Sequence, residues 1–168
     1  MGKYGRLLVN LSRYFKAKNI LELGTSVGIG TTAFALGNPK SSITTVDACL
    51  ATQNVARDYW KIHGISVSNP IHSTFEKFLL HDANIYDIIY IDGHHDGDAL
   101  LHYMALLKKN CHDETLFIID DIHWSESMEN AWRTLCKNES YHVSIELYRM
   151  GIISPKTTQT KQHFTLRY

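Results

Sequence analysis

Short apolar runs alternate with amphipathic stretches along most of the chain. The runs "NILELG", "SITTVDA", "YDIIYIDG" and "TLFIIDD" have the length and composition of buried strands. Between them lie stretches such as "ATQNVARDYWKIHG", in which Val55, Tyr59 and Ile62 recur at helical spacing and Gly64 follows as a stop signal. Strands that alternate with helices predict an α/β fold with a mostly parallel sheet.

The same pattern predicts elements at both ends of the chain. It indicates an opening helix in "GKYGRLLVNLSRYFKA", a weak third strand in "ISVSNPI", where Pro70 lacks an amide donor, and a helix in "SESMENAWRTLCKN" with Ser125 as its N-cap. The last two runs, "YHVSIELYRMGIIS" and "KQHFTLRY", are strand-like and have no helix between them. We therefore expect them to form an antiparallel pair joined to the parallel sheet.

Composition narrows the class of protein. The chain has 168 residues, 44% apolar and 20% charged, which is typical of one soluble domain spanning residues 1–168. Its formal net charge is zero, so it has no general attraction to nucleic acid or to an anionic membrane. The three scattered cysteines suit reduced thiols, and neither a signal peptide nor a membrane-spanning run is evident. We therefore expect a cytoplasmic protein with a small-molecule partner.

A glycine-rich loop follows the first predicted strand, in "ILELGTSVGIGTT". Its glycines, Gly24, Gly28 and Gly30, follow the spacing G-x-x-x-G-x-G, whereas the dinucleotide fingerprint is G-x-G-x-x-G. Glu22 stands two residues before the first glycine. A carboxylate there would repel a pyrophosphate and would suit a ligand that carries a cation. This spacing disfavours a nicotinamide-dependent oxidoreductase.

A second acidic residue, Asp47, ends the next predicted strand in "TTVDA". An acid at that position accepts hydrogen bonds from ribose hydroxyl groups in nucleotide-binding folds. Together with Glu22 it indicates an adenosine-like ligand with a positive tail. S-adenosyl-L-methionine fits this description, because it carries a sulfonium, an ammonium and a carboxylate. The alternative is a plain strand–turn–helix whose glycines serve packing.

Carboxylates also follow two later strands. Asp92 ends the strand in "IIYIDG", and Asp120 and Asp121 end the strand in "LFIIDD". If these strand ends lie together, the three acids repel one another unless a cation such as Mg²⁺ binds between them. Asp87 begins its strand, at the wrong end for catalysis, and Asp96 is expected to cap the following helix.

The sequence "LELGTSVGIGT" followed by "TVDA" resembles the first two motifs of class I S-adenosylmethionine-dependent methyltransferases. The resemblance covers about residues 18–168. It implies a Rossmann-like, doubly wound sheet of seven strands, mostly parallel with the last strand antiparallel, and helices on both faces. It further implies an N-terminal helix in 1–17, a cofactor-binding half in 18–110 and an acceptor-side half in 111–168. The implied cofactor contacts are Glu22, Gly24, Thr25, Gly28, Asp47 and, near the adenine, Ser73.

Within that class, the strand-end acids are similar to those of the catechol and caffeoyl-CoA O-methyltransferases. This resemblance assigns Asp92, Asp120 and Asp121 to a divalent metal, with Trp124 in its usual place. Asp121 departs from the pattern, because those enzymes have Asn there. The extra negative charge would strengthen cation binding.

The same enzymes have a lysine base three residues after the first acid, where this chain has His95. An imidazole at this position is suited to accept a hydroxyl proton near neutral pH. His95 and Asp92 are therefore the candidate catalytic residues. By the same resemblance, His94 and Asp92 are further candidate cofactor contacts.

These residues predict methyl transfer from S-adenosyl-L-methionine to an oxygen of a small molecule, assisted by Mg²⁺ or another divalent cation. One alternative is a metal-independent methyltransferase with His95 as base. Another is a non-catalytic domain that binds S-adenosyl-L-methionine and uses its surface for a partner. Only about twenty residues precede the first strand, so a homodimer is one expected way of completing the acceptor pocket.

Overall fold

The computed structural model describes residues 2–67 and 69–168, so Met1 and Ser68 lie outside the described residues. Helices and strands alternate through most of the chain, as predicted. In chain order the elements are α1 (Lys3–Phe15), β1 (Asn19–Leu23), α2 (Ile29–Gly37), β2 (Ser42–Asp47), α3 (Leu50–Ile62), β3 (Asn69–His72), α4 (Phe75–His81), β4 (Tyr86–Ile91), α5 (Gly97–Leu106), β5 (Cys111–Ile119), α6 (Glu126–Lys137), β6 (Val143–Leu147), β7 (Met150–Ser154) and β8 (Gln162–Thr165).

The described strands form one sheet in the order β3-β2-β1-β4-β5-β7-β6-β8. Strands β1 to β5 run parallel to one another, and β7 is antiparallel to both β5 and β6. This confirms the predicted α/β fold with a mostly parallel sheet. Only the last part of the weak third strand predicted over 65–71 is confirmed, as β3 (Asn69–His72). Residues 65–67 are not strand, and Ser68 lies outside the described residues.

The prediction of seven strands was wrong, because the described part of the chain forms eight. The segment "YHVSIELYRMGIIS" makes two strands, since it reverses at Tyr148 and Arg149, and Leu147 pairs with Met150 across this turn. The final run was also placed wrongly: β8 lies parallel to β6. Strand β7 already has β5 and β6 as neighbours, so β8 pairs with the outer edge of β6, at this end of the described sheet.

Apolar side chains cover both faces of the sheet. Within β4, Ile88 and Tyr90 point to the face that packs against α1 and α2. Ile89 and Ile91 point to the opposite face, which packs against α4, α5 and α6. This alternation confirms helices on both faces and fixes the strand ends at the rim.

Three polar residues have the structural roles that the sequence predicts. Asp87 accepts hydrogen bonds from the backbone N–H groups of Lys18 (2.6 Å) and Asn19 (2.9 Å), at the start of the strands and far from the rim. Asp96 and Ser125 cap α5 and α6 through their side chains.

The three cysteines carry free thiols. Among the described helices, none has the length and apolar character needed to cross a membrane.

Candidate active site

The carboxyl ends of the central strands meet at one rim of the sheet. Asp92 follows β4 directly, and Asp120 follows β5 directly. Ile91 and Ile119 pair in the sheet, and the N–H of Asp120 donates to the carbonyl of Ile91 at 2.9 Å. The register of β4 and β5 therefore holds the two acids side by side, which meets the condition that the sequence left open.

Glu22 lies beneath the glycine loop, with only 1% of its surface exposed. Its carboxyl group accepts hydrogen bonds from the hydroxyl groups of Thr31 and Thr45, and Thr25 in turn contacts the Thr45 hydroxyl at 2.7 Å. Burial raises the pKa of Glu22 to about 8, so without a ligand the group is mostly protonated at neutral pH. A nearby cationic ligand would favour the charged form. The contact of Glu22 and Thr25 with a cofactor stays a prediction.

The glycines of the loop are required because the loop packs closely against other residues of the same chain. Gly24 has φ 113°, and a side chain there would collide with the backbone carbonyl of Asp92. Gly28 has φ 81°, and a side chain there would meet the buried ring of Trp60 at 2.7 Å. At Gly30 it would collide with the carboxyl group beneath the loop. Part of the glycine signal therefore reports how tightly the loop is held against β4 and α3.

Asp47 closes the neighbouring strand end. Its two carboxylate oxygens accept the backbone N–H groups of Ser26 and Cys49, both at 2.7 Å. The N–H of Ser73 donates to the carbonyl of Asp47 at 3.0 Å, so Ser73 lies beside it. Each carboxylate oxygen keeps a further lone pair that can accept a ribose hydroxyl.

Arg149 enters the rim from the turn between β6 and β7 and contacts both acids after β5. Its Nε and Nη2 donate to the two oxygens of Asp120 at 2.9 Å each, and its Nε lies 2.9 Å from Oδ1 of Asp121. The hydrogen bonds and charge of Asp120 raise the pKa of Arg149. This bidentate pair is the strong, charge-assisted form of the arginine–carboxylate contact.

Tyr90 links the two strand-end acids from below. Its buried hydroxyl group lies 3.0 Å from a carboxylate oxygen of Asp92 and 3.0 Å from one of Asp120. A phenol has one proton, so it donates to one of these acids at a time. Burial, followed by the charge of Asp120, raises the pKa of Asp92.

The two histidines after Asp92 lie in a strained loop. His94 and His95 have φ of 69° and 38°, and Asp121 across the rim has φ of 52°. Residues other than glycine rarely adopt such positive values. Nδ1 of His94 lies 2.6 Å from the hydroxyl of Tyr103, which directs this ring into the helix layer. Nδ1 of His95 lies 3.8 Å from Oδ2 of Asp121, and its ring is 5.7 Å from that of Trp124. His95 is thus the histidine that faces the strand-end acids.

A cavity of about 750 Å³ opens in front of this rim. Its walls include apolar or aromatic side chains such as Tyr4, Ile29 and Tyr59, and it reaches from Gly28 to Asp92. Asp120 and Arg149 also line it. Glu22, Asp47, Ser73, His94, His95 and Asp121 are not among the described residues that line it.

The predicted metal ligands Asp92, Asp120 and Asp121 are close together, but as a set they do not fit a divalent cation. Both oxygens of Asp120 are bonded to Arg149, and each has a second donor beside it, the Asp121 N–H or the Tyr90 hydroxyl. A different set, Asp92, His95 and Asp121, offers three ligand atoms within 4.8 Å of one another. Octahedral Mg²⁺ ligands in adjacent positions lie roughly 3 Å apart, so these atoms would have to approach one another.

Sequence reasoning missed Arg149 and Tyr90. Arg149 stands 29 residues after Asp120, within a run that reads as one strand, and only the hairpin turn brings it to the rim. Tyr90 reads as one more apolar residue of β4. The sequence signal that could have indicated Arg149 was the excess of negative charge, since three neighbouring acids require either a metal ion or a basic side chain beside them.

A family model described as a methyltransferase domain matches residues 21–122, which is more than half of the chain. The chain belongs to this methyltransferase family.

No curated protein matches this methyltransferase. Among solved structures it is similar to cofactor-bound Rv0187 from MTB, with a TM-score of 0.81, 16% identity, and coverage of 93% of this chain and 81% of that one. It is also similar to a putative caffeoyl-CoA O-methyltransferase from Staphylococcus aureus, with a TM-score of 0.77, 18% identity, and coverage of 92% and 84%. At these identities the likeness shows the shared fold.

Proposed function

We propose that this methyltransferase moves a methyl group from S-adenosyl-L-methionine to an oxygen of a small-molecule acceptor, with His95 as the general base. The observation that carries the proposal is the cavity, because it joins the glycine loop at Gly28 to the rim at Asp92. Donor and acceptor can therefore meet in one space beside Asp92. His95 follows Asp92 in the chain but does not line this cavity, so its reach to the acceptor hydroxyl is part of the proposal. Tyr4 and Tyr59 in its walls favour an acceptor with an apolar or aromatic body.

Several observations support S-adenosyl-L-methionine as the donor. The family is one of methyltransferases, and similar structures include TomG from Streptomyces achromogenes in complex with SAM and an O-methyltransferase from Bacillus cereus in complex with SAH. In this chain, Asp47 has lone pairs for the ribose hydroxyls, and Ser73 lies beside it. Glu22 is a buried acid that a cationic ligand would ionise.

The chemistry of the step needs alignment and one proton acceptor. The bound donor supplies a methyl group activated by its sulfonium. A lone pair of the acceptor oxygen forms the new C–O bond as the C–S bond breaks, and that electron pair stays on sulfur, which leaves S-adenosylhomocysteine. The acceptor's hydroxyl proton passes to the imidazole of His95. The carboxylate of Asp121, 3.8 Å from Nδ1 of His95, stabilises the imidazolium that results. A divalent cation enters no step here.

The test is formation of S-adenosylhomocysteine, followed by mass spectrometry, with a panel of phenols and other small hydroxyl compounds. Once an acceptor is found, His95→Gln should lower kcat by about 10²- to 10⁴-fold, because it removes the base. The affinity for the donor should not change. His81→Gln, at the exposed end of α4, is the matched control and should retain full activity.

Donor binding without any product across a broad panel would favour the non-catalytic alternative. Full activity in His95→Gln would remove His95 from the mechanism while leaving methyl transfer in place.

A further inference from the structure

Arg149 lies where the sequence predicts a divalent cation. Its guanidinium group lies 2.9 Å from both oxygens of Asp120 and 2.9 Å from Oδ1 of Asp121. These are two of the three carboxylates that the resemblance assigns to the metal. Arg149 is distant from these acids in the sequence, so the fold brings it beside them.

The pair differs from an ordinary surface salt bridge in the burial of its acid. The Asp120 side chain is only 2% exposed, whereas that of Arg149 is 46% exposed. A buried carboxylate without a partner is strongly destabilising, so a permanent counter-charge stabilises Asp120. Arg149 supplies it with two parallel hydrogen bonds, and a bound metal is not required for this purpose.

The remaining candidate ligands lie within the reach of the same positive charge. Asp92, His95 and Asp121 could offer three atoms, but one oxygen of Asp121 already faces Arg149. A divalent cation bound there would lie a few ångströms from the guanidinium group and would be repelled by it. Arg149 therefore lowers the affinity of this second set as well.

We propose that Arg149 is the built-in counter-charge of Asp120 and Asp121, so that this rim binds no divalent cation and methyl transfer proceeds without one. The last clause rests on the function proposed above, whereas the first concerns the rim alone. Arg149 is a positioning residue. It fixes Asp121, which in turn faces His95, and it reaches back over the ring of Tyr4 at 5.9 Å.

The test measures cation binding in the absence of donor and acceptor. Mn²⁺ is titrated into metal-free protein, and the free ion is followed by electron paramagnetic resonance. The wild type should show no binding up to about millimolar Mn²⁺. Arg149→Gln should bind Mn²⁺ at least about tenfold more tightly, because the acids lose their counter-charge. Adding Asp121→Ala to Arg149→Gln should remove the gained binding, because alanine offers no ligand oxygen.

Arg133→Gln is the control, since Arg133 also pairs with a carboxylate but lies exposed on α6. It should behave like the wild type. Tight Mn²⁺ binding by the wild type would overturn the proposal, and so would an Arg149→Gln variant that folds and gains no binding. If Arg149→Gln does not fold, the wild-type titration alone decides.

Turnover separates this proposal from the proposed function. Wild-type activity should survive EDTA without loss, and a complete loss that Mg²⁺ or Mn²⁺ restores would contradict a metal-free site. Absence of methyl transfer under all conditions would count against the function. It would leave the result of the Mn²⁺ titration, and the role of Arg149 at the rim, as measured.

Discussion

Glu22 and Asp120 are both buried acids, and the fold stabilises them in different ways. Asp120 has a cationic partner, because Arg149 donates two hydrogen bonds to it. Among the described residues no cation pairs with Glu22, and burial raises its pKa to about 8. The two thus represent the two solutions to a buried acid, pairing and protonation.

This difference predicts how stability depends on pH. Between its unfolded pKa of 4.5 and its folded pKa of about 8, Glu22 holds a proton in the folded state and loses it on unfolding. The free energy of unfolding should therefore fall as pH rises through this window. In Glu22→Gln this loss is absent, so the variant should gain on the order of 3–5 kcal/mol relative to the wild type between pH 4 and pH 9.

The measurement is urea unfolding of the ligand-free protein across that pH range. The Glu139→Gln variant serves as a control, because Glu139 is an exposed acid, and its stability should follow the wild type. Parallel pH curves for Glu22→Gln and the wild type would show that Glu22 is ionised in the folded state at neutral pH.

For single residues, the sequence predicts the positions that depend only on the neighbouring strand in the chain. Asp92 and Asp120 follow strands that read clearly as buried, and neighbouring parallel strands bring them together. Arg149 could not be placed, because its position depends on the pairing of β6 with β7 and of β7 with β5. Asp120 was predicted as a metal ligand for the same reason, because the sequence does not show that Arg149 is its partner.

Among the elements, the hairpin β6–β7 determines the charge of the site. It carries Arg149 in its turn, and the hydroxyl of Tyr4 in α1 donates to the carbonyl of Leu147 at 2.9 Å, which holds this turn against α1. The N–H of Ile122 donates to the carbonyl of Arg149 at 3.0 Å, which ties the turn to the segment after β5. Three parts of the chain therefore fix the guanidinium group.

Gly151 is the residue that lets the hairpin lie close to α6. A side chain there would meet the ring of Trp132 at 2.5 Å, and this ring is buried and bonded through Nε1 to Glu146 at 2.9 Å. Gly151→Ala should therefore lower the free energy of unfolding by about 1–3 kcal/mol, as overpacking does. Chemical unfolding checks this. Gly2→Ala, with no atom within 4 Å of the added carbon, should be close to neutral, and equal stability of both variants would contradict the packing argument.

Element prediction succeeded where a local signal exists. Asp96 and Ser125 cap their helices because Asp and Ser side chains bond readily to first-turn N–H groups. The hairpin carries no such signal, since its turn consists of Tyr148 and Arg149 instead of glycine, proline or asparagine. Tyr148 adopts φ 65° there, a conformation that the rest of the hairpin enforces.

For the whole molecule, the alternation of strands and helices was sufficient to predict the α/β class, and the resemblance to class I methyltransferases implied the helices on both faces. The number of strands and the pairing of β8 were not predictable, because edge pairings depend on which neighbours are still open. The proposed binding of S-adenosyl-L-methionine rests on one arrangement, in which Glu22 lies under the loop and Asp47 ends the next strand. A homodimer that completes the acceptor cavity stays a prediction.

Isothermal titration calorimetry of protein freed from co-purified ligand measures whether this rim binds S-adenosyl-L-methionine. We expect saturable binding by the wild type and no binding of NADH. Asp47→Ala should weaken the donor by at least about tenfold, because the ribose hydroxyls lose their acceptor. Asp58→Ala, an exposed acid on α3, should bind as the wild type does. Absence of binding by folded wild-type protein, or equal affinity in Asp47→Ala, would contradict the account.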